Sequence, residues 1–476
     1  MWHKENLESA LQSNFLKSTI TTKIISEEVF IDSRKKTKNG LFVAIIGENN
    51  DGHDFLKQAF ENGATMAIVQ KIPADFAHDS RLILVKDSTK SLVNLATHAR
   101  KNFAGKIIAI TGSVGKTSIK EMLRTVLSQK TDPKIVSHKN KVFANYGNLN
   151  NHIGLPLSLC NLPQDCDYGV FEMGMNNPGE IEFLTKIALP DIAIISNIAK
   201  AHIGNFKNED GIALAKSEIF LGVAPSGYAI LNKDNKYFDF LKSQALKNNI
   251  KEENILSFGK NKESDICLES FENTDIALSK VHVKIAKKTL NYEINSINES
   301  TILNSLIGIA VLKILKVDFA NYLPNFKTLE TPAGRGNIIK INKNNKSFII
   351  IDDSYNANLE SMISGLKFLA KLGEQNPKGR TVAIIGDMLE LGTRGIEEHK
   401  SIAKYINQFN IDKTLLVGDL SKNIIGELKK EQIIGHFDNS ANLAVQIMGL
   451  VHDNDIILVK GSNGTKMNLI INSLKE

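Results

Sequence analysis

The sequence predicts an α/β protein of three domains, and three observations carry that reading. At 476 residues the chain is too long for one hydrophobic core. Short apolar runs recur between amphipathic stretches, the alternation that builds parallel sheets flanked by helices. One such run leads directly into a glycine loop and a helix, at Thr111-Gly-Ser-Val-Gly-Lys-Thr-Ser118. The expected divisions are a small N-terminal α/β domain over 1–85, a central P-loop ATPase domain with a parallel sheet over 86–325, and a C-terminal Rossmann-like domain over 326–476.

The elements follow in chain order. Leu41–Ile46 reads as a strand, Asp54–Asn62 as a helix stopped by Gly63, and Met66–Val69 as a second strand. Ile107–Ile110 is the apolar run before the glycine loop, and Ile119–Leu127 has helical spacing. Gly169–Phe171 and Ile192–Ile195 are short enough for buried parallel strands. The segment 241–298 is rich in Asn, Lys and Ser; within it Val281–Ile285 alternates as an antiparallel strand would. Thr331-Pro-Ala-Gly-Arg-Gly336 is a hinge candidate. Beyond it, strands are expected at Phe348–Ile351, Val382–Ile385, Leu415–Val417 and Ile456–Val459, with a helix ending near Ala370.

Apolar content of 42% and charged content of 23% are those of an ordinary globular protein. The net charge of +6 is spread along the chain; it suits anionic small molecules and does not call for nucleic acid. The clusters His138–Lys141 and Lys340–Lys343 read as solvated loops. Three cysteines form neither a disulfide framework nor paired metal spacing, as expected of a reduced cytoplasmic protein. No run of ~18 apolar residues and no signal-peptide core is present, so membrane insertion is not expected.

The strand, loop, helix order points backbone N–H groups and a helix N-terminus at a polyphosphate. Gly112, Ser113, Val114, Gly115, Lys116, Thr117 and Ser118 are therefore the expected nucleotide cradle. Lys116 would offset charge on the β/γ oxygens and the Thr117 hydroxyl would reach Mg²⁺. Without an anion, Lys116 would face the positive end of its own helix.

Ligands for such a site belong at strand C-termini. Glu172 ends one expected strand, and its carboxylate suits a hard cation, although a loop glutamate there can simply be solvated. His202 follows the next strand and is either a packed residue or a metal contact. Lys216 sits in a helical stretch, where most lysines are solvated or pair one turn away. The loop Asn145–Asn151 is either turn chemistry or a polar-ligand surface. Asp352-Asp353 could hold a ribose or a metal, or cap the next helix. The loops Gly386–Gly392 and Lys460–Met467 follow strands and look like one substrate mouth.

Taken together these segments resemble the Mur ligase family, ATP-dependent amide ligases of cell-wall precursor synthesis, from Asp32-Ser33-Arg34 to Met467. The glycine loop is common to the whole family and its folylpolyglutamate-forming relatives. Glu172–Glu180, Asp352–Asn358 and Gly386–Gly392 narrow the resemblance to the branch that adds D-alanyl-D-alanine. The Asp-Asn-Pro-Arg signature of the diaminopimelate-adding branch is absent.

The resemblance implies ligation of D-alanyl-D-alanine to UDP-N-acetylmuramoyl-tripeptide by a monomer acting on small-molecule substrates. It places the UDP end on Ser33 and Arg34 and in the Asp51–Phe55 segment, and the muramoyl substrate on Asn148 and Asn151. It puts two Mg²⁺ ions near Thr117, Glu172 and His202, with Lys216 carbamylated by CO₂ to help place the second. Asn304, Arg335 and Asp353 match positions contacting adenine, γ-phosphate and ribose, and Asn356, Ser462 and Lys466 would complete the substrate site. Lys116, Glu172, His202, Lys216 and Arg335 would carry the catalysis. Ser300 and Thr301 depart from the family's usual His-Asn, and Asn463 stands where an arginine is usual.

The chemistry implied is activation of a carboxylate as an acyl phosphate, followed by attack of the dipeptide amine. The competing readings are an amide ligase adding another amino acid, a P-loop switch ATPase acting on a protein, and a nucleotide-dependent sugar-binding module. No Asp-x-x-Gly switch segment follows the loop at a convincing distance, and Lys116, Glu172 and Lys216 occurring together speak against a module without catalysis.

Overall fold

The protein is described from a computed structural model covering residues 2–20, 25–128, 141–199, 205–206, 208–275 and 277–476. Three larger sheets organise it. A five-stranded sheet runs in the order Phe15–Ser18, Leu82–Val85, Ala64–Val69, Gly40–Val43, Glu28–Phe30, parallel except for the first strand. The expected helix after Gly40–Val43 opens as one 3₁₀ turn, Gly52–Phe55, before Leu56–Glu61.

The central sheet has nine strands, and seven of them, from Val142–Ala144 at one edge to Ile266–Asp275, are parallel. Leu278–Ile285 and Lys288–Ile294 then extend it as an antiparallel pair, matching the alternation seen at Val281–Ile285. Strand Lys106–Thr111 is buried on both faces: Ile107 and Ala109 join one core cluster, Ile108 and Ile110 another. Its neighbours are Tyr168–Glu172 on one side and Ile192–Ile195 on the other. The chain runs from it to the Val142–Ala144 edge, and after Tyr168–Glu172 it crosses to Ile192–Ile195 on the other side; that reversal opens a crevice at the strand C-termini.

The C-terminal sheet runs Asn337–Lys343, Lys346–Asp353, Ile456–Lys460, Thr381–Gly386, Lys413–Val417, Ile433–Phe437. Its interior strands also alternate between two clusters, with Ala383 and Ile385 in one and Val382 and Ile384 in the other. Lys340–Lys343 corrects an expectation: it is not a solvated loop but part of the edge strand, paired antiparallel with Lys346–Asp353. Isolated lysines on an edge strand mimic loop composition because one side of the ladder faces water. Of the His138–Lys141 cluster, only Lys141 lies within the described residues.

The C-terminal unit closes on the central one through one face of the helix Leu359–Glu374. Glu360 accepts from Asn197 Nδ2 at 2.8 Å, Ser364 and Ser300 hydroxyls meet at 2.9 Å, and Lys367 reaches Glu299 at 2.8 Å. Lys371 caps the stripe, its amine 4.7 Å from the Phe271 ring centroid. These positions recur at helical spacing, so a single face makes all four contacts.

Candidate functional site

Strand Lys106–Thr111 delivers the glycine loop, and helix Lys116–Leu127 begins immediately after it. Gly115, the residue before the helix, has φ +89°, and a side chain on Gly112 would place Cβ 1.9 Å from Ser196 Oγ. The loop is also tied to the end of the adjacent strand. Ser196 Oγ donates to Val114 O at 2.6 Å, Ser113 Oγ donates to Ala199 O at 2.9 Å, and Ser113 N donates to Asn197 O at 2.8 Å. Lys116 folds back over the loop, its Nζ donating to Gly112 O at 2.7 Å. Burial pushes the Lys116 amine below the usual lysine range; Glu172 opposes that fall and Arg335 adds to it.

Glu172 ends its strand nearly buried, at 3% exposure. One carboxylate oxygen accepts from Thr117 Oγ1 at 2.7 Å and the other from Asn150 Nδ2 at 2.8 Å. Asn304 comes from the flanking helix Glu299–Ile314, whose Asn298 cap accepts from Ser300 N at 2.9 Å. Its amide lies so close to the loop that a Cβ on Gly115 would sit 3.3 Å from Asn304 Nδ2.

The opposite wall comes from the hinge and the C-terminal sheet. Asp352 holds the hinge turn: its carboxylate accepts from Gly334 N at 3.1 Å and its carbonyl from Gly336 N at 2.8 Å. That turn carries Arg335, whose guanidinium stacks 4.3 Å above the Tyr355 ring. Asp353 faces the cleft and accepts from Lys460 Nζ at 2.7 Å; Lys460 also donates to Asn356 O at 3.0 Å. Burial raises the Asp353 carboxyl, and Lys460 and Arg335 hold it back. The two adjacent acids therefore divide the work, one building the turn and the other lining the cleft.

The walls enclose a cleft of about 410 Å³. Ser113 to Ser118 line it from the glycine loop and the helix it opens, Glu172 from the end of its strand, and Asn148 and Asn151 from the asparagine-rich loop. Asn304, Arg335, Asp353 and Asn356 line the face toward the C-terminal unit, together with Ser300 and Thr301. Asn151 also accepts from Gly154 N, the first residue of helix Gly154–Cys160, at 2.8 Å.

Other expected residues lie apart from this cleft. Gly112 does not line the cleft. Lys216, on helix Glu209–Ser217, is 2% exposed and is not on the cleft wall. Its amine makes no hydrogen bond or ion pair with the described residues, and burial, reinforced by the charge of Lys116, drives it well below the usual lysine range. Ser33 and Arg34 belong to the five-stranded unit and are already paired: Ser33 Oγ donates to Gln58 at 2.6 Å, and exposed Arg34 pairs with Asp32 at 2.7 Å. Ser462 joins the two C-terminal loops, accepting from Leu389 N at 2.9 Å, while Lys466 is exposed in a left-handed turn at φ +53°. His202 lies outside the described residues.

The roles of Asn150 and Lys460, one holding Glu172 and the other Asp353, escaped the sequence reading. Asn150 was one amide among several in an asparagine-rich loop, and nothing in the spacing selects it as the Glu172 partner. The signal for Lys460 was a lysine at the end of an otherwise apolar strand, Ile456–Lys460.

Comparison with known proteins adds independent findings. The chain matches the Mur ligase family catalytic domain over residues 27–98, the Mur ligase middle domain over 110–312 and the glutamate ligase domain of Mur ligases over 334–463. It is 33% identical over 473 residues to UDP-N-acetylmuramoyl-tripeptide–D-alanyl-D-alanine ligase of Rickettsia prowazekii, covering 99% of each chain. It is 32% identical to the enzyme of that name from Escherichia coli, covering 95% of this chain and 94% of the relative. Among solved structures, MurF from Acinetobacter baumannii superposes with a TM-score of 0.83 at 28% identity, covering 99% of this chain and 98% of the other. MurF ligase from Thermotoga maritima in complex with ADP gives 0.77 at 27% identity, covering 94% and 97%.

Proposed function

The chain belongs to the Mur ligase family, and from that premise we infer that it joins D-alanyl-D-alanine to UDP-N-acetylmuramoyl-tripeptide with consumption of ATP, in peptidoglycan precursor synthesis. The observation that carries this reading is convergence: Lys116 and the Glu172–Thr117 pair from the central sheet meet Arg335 and Asp353 from the C-terminal unit across one cleft.

The chemical obstacle is that a carboxylate is a poor electrophile. Transfer of the ATP γ-phosphoryl group makes an acyl phosphate, which the free amine of the dipeptide attacks before phosphate departs. Lys116, at the loop, and Arg335, from the hinge, sit where charge on the transferring group needs offsetting, an effect of several kcal/mol in water-excluded sites. The helix face of Glu360, Ser364, Lys367 and Lys371 brings Arg335 to the site only when the units are closed. Closure also keeps water from the acyl phosphate. Asp353, which accepts from Lys460, would take the ribose hydroxyls, and Asn148 and Asn151, which line the same cleft, would take the muramoyl peptide.

Mg²⁺ belongs to the same proposal. Thr117 Oγ1 and the Glu172 carboxylate are hard oxygen donors set side by side, which fits such a cation. Among the described residues no cluster of three His, Cys, Asp or Glu side chains stands ready for a metal. Bound there, Mg²⁺ would neutralise phosphate charge. His202 is proposed as a further ligand. Lys216 is proposed to be carbamylated: its neutral amine would attack CO₂, forming the N–C bond and releasing a proton. The surroundings described above favour the neutral amine that this step needs.

The proposal also assigns 1–85 to the UDP end through Ser33 and Arg34, 86–325 to ATP, and 326–476 to closure and the dipeptide through Asn356, Ser462 and Lys466. It has the protein act as a cytoplasmic monomer. Among the described residues no helix is long and apolar enough to cross a membrane.

The test is phosphate release from ATP with UDP-N-acetylmuramoyl-tripeptide and either D-alanyl-D-alanine, diaminopimelate, lysine or glutamate, with product mass as the second readout. Release only with the dipeptide, and a product heavier by that dipeptide less one water, is expected. Release that ignores the acceptor peptide would overturn the reading. Lys116→Ala and Arg335→Ala should each remove ligation while leaving circular dichroism unchanged. Full turnover in either variant removes that residue from the mechanism.

A further inference from the structure

We propose that Lys120 and Asn145 form a positioning pair that holds the Glu172 carboxylate in register with the asparagine loop 145–151, so that the nucleotide and acceptor ends of the cleft are braced as one piece. The proposal rests on the nucleotide reading above.

Lys120 stands on helix Lys116–Leu127, one turn beyond the loop lysine, and is fully buried among residues that form the helix's core face. A buried ammonium is costly unless its N–H groups are matched. Lys120 Nζ donates to the backbone carbonyl of Asn145 at 2.6 Å and lies 3.2 Å from Glu121. It does not line the cleft, and the mechanism gives it no task.

Asn145, 1% exposed, explains what the lysine holds. It follows the edge strand Val142–Ala144, whose pairing with Tyr168–Glu172 ends at Ala144 opposite Val170. Past that point the Asn145 side chain stands in for the missing ladder. Its oxygen accepts from Glu172 N at 2.9 Å, and its amide donates to Glu172 O at 3.2 Å and to Leu149 O at 2.8 Å. One side chain thus binds both backbone groups of the carboxylate residue and the far end of its own loop.

Five residues on, Asn150 closes the circuit. Its side chain donates to Glu172 Oε1, and its carbonyl accepts from Gly174 N at 2.9 Å. Asn148 and Asn151, on either side of it, face the cleft. Lys120 therefore acts through Asn145 on Glu172 and on the acceptor loop together, and the phosphate-loop helix is the fixed body against which both are held.

The experiment measures Mg–ADP binding by calorimetry, and KM and kcat for each substrate, in the wild type and in Lys120→Met, Lys120→Arg, Asn150→Ala and Lys120→Met/Asn150→Ala. Lys120→Met preserves side-chain volume and should melt as a folded protein. Its Mg–ADP affinity is expected to fall about tenfold or more, the usual cost of losing a group that orients a ligand residue. Its KM for UDP-N-acetylmuramoyl-tripeptide should rise as well, a joint shift that loss of general stability would not produce. Lys120→Arg should recover part of both, and adding Asn150→Ala to Lys120→Met should cost less than it does alone. A folded Lys120→Met variant with wild-type Mg–ADP affinity and unchanged KM values overturns the proposal. Should that variant fail to fold, Asn145→Ala carries the same decision on the same two quantities. A wild-type chain without Mg–ADP affinity sinks the nucleotide reading and this proposal with it.

Discussion

Lys216 and Lys460 are equally hidden from water, yet the two regions around them solve the burial of a lysine in opposite ways. In the C-terminal unit, Lys460 has a carboxylate partner, Asp353 at 2.7 Å, and a carbonyl, Asn356 O at 3.0 Å. In the central unit, Lys216 makes no such contact with the described residues and sits within reach of the field of Lys116. A paired lysine is a structural cation that steadies an acid. An unpaired one is driven toward the free amine, the form with a nucleophilic lone pair. Burial alone thus says little about a lysine's role; its counter-charge decides.

The largest effect that could break this contrast concerns activity. Lys216→Ala should lower kcat by about 10²-fold or more, the scale of losing one electrostatic partner of a transition state. A short-chain carboxylate added to that variant should restore part of the rate. Intact-mass measurement of active wild type that finds only free lysine would remove carbamylation from the account.

Next in size is the paired lysine. Lys460→Met leaves the Asp353 carboxylate without its partner, a change expected to destabilise the C-terminal unit by about 3 kcal/mol. Denaturant unfolding measures it, and Lys460→Met/Asp353→Leu should regain most of the loss because no unpaired charge then remains. A single variant as stable as wild type would mean that the pair contributes nothing.

A pH series sharpens the difference between the two lysines. Lys216 has a folded-state pKa below its unfolded value, so between that lowered value and the ordinary ~10.4 the unfolded chain binds more protons. In buffer free of CO₂, stability should therefore rise with pH across that window, at most by about 1.4 kcal/mol per unit from this group. Lys216→Met should flatten the rise and be the more stable protein at neutral pH. An identical slope in both would show that Lys216 is not titrating in the fold as described.

The smallest effect belongs to a lysine at the closing helix face. Lys371→Ala removes the contact with Phe271, worth about 1 kcal/mol or less. Equilibrium unfolding should hardly register it, while KM for ATP should rise slightly if closure is weakened. A loss as large as that of Lys460→Met would mean that the stripe on Leu359–Glu374 is a principal support of the fold.

Much of the fold was legible because its signals are local. The runs at Ile107, Gly169, Ile192, Val382 and Ile456 became interior parallel strands, since a strand covered on both faces has no polar positions to confuse the pattern. Edges were harder. Lys340–Lys343 looked like a loop because an edge strand meets solvent along one side, and the Val142–Ala144 strand left no clear pattern in only three residues. The site divides in the same way. Residues 112–118 are recognisable because one contiguous stretch must supply strand exit, tight turn and helix start. Glu172, Arg335 and Asp353 carried weaker signals at strand ends and a hinge, and it was the family resemblance that singled out Lys216.

The sequence by itself determined the glycine cradle, the α/β alternation and the family, since these depend on neighbours along the chain and on motif order. Only the tertiary structure decided which asparagine holds Glu172, which of two adjacent acids faces the cleft, and that buried Lys460 pairs with Asp353. Those outcomes depend on side chains 22 to 107 positions apart being brought within hydrogen-bond distance. Hydrogen bonding and desolvation act across a few ångströms of space, and spacing along the chain does not encode that proximity.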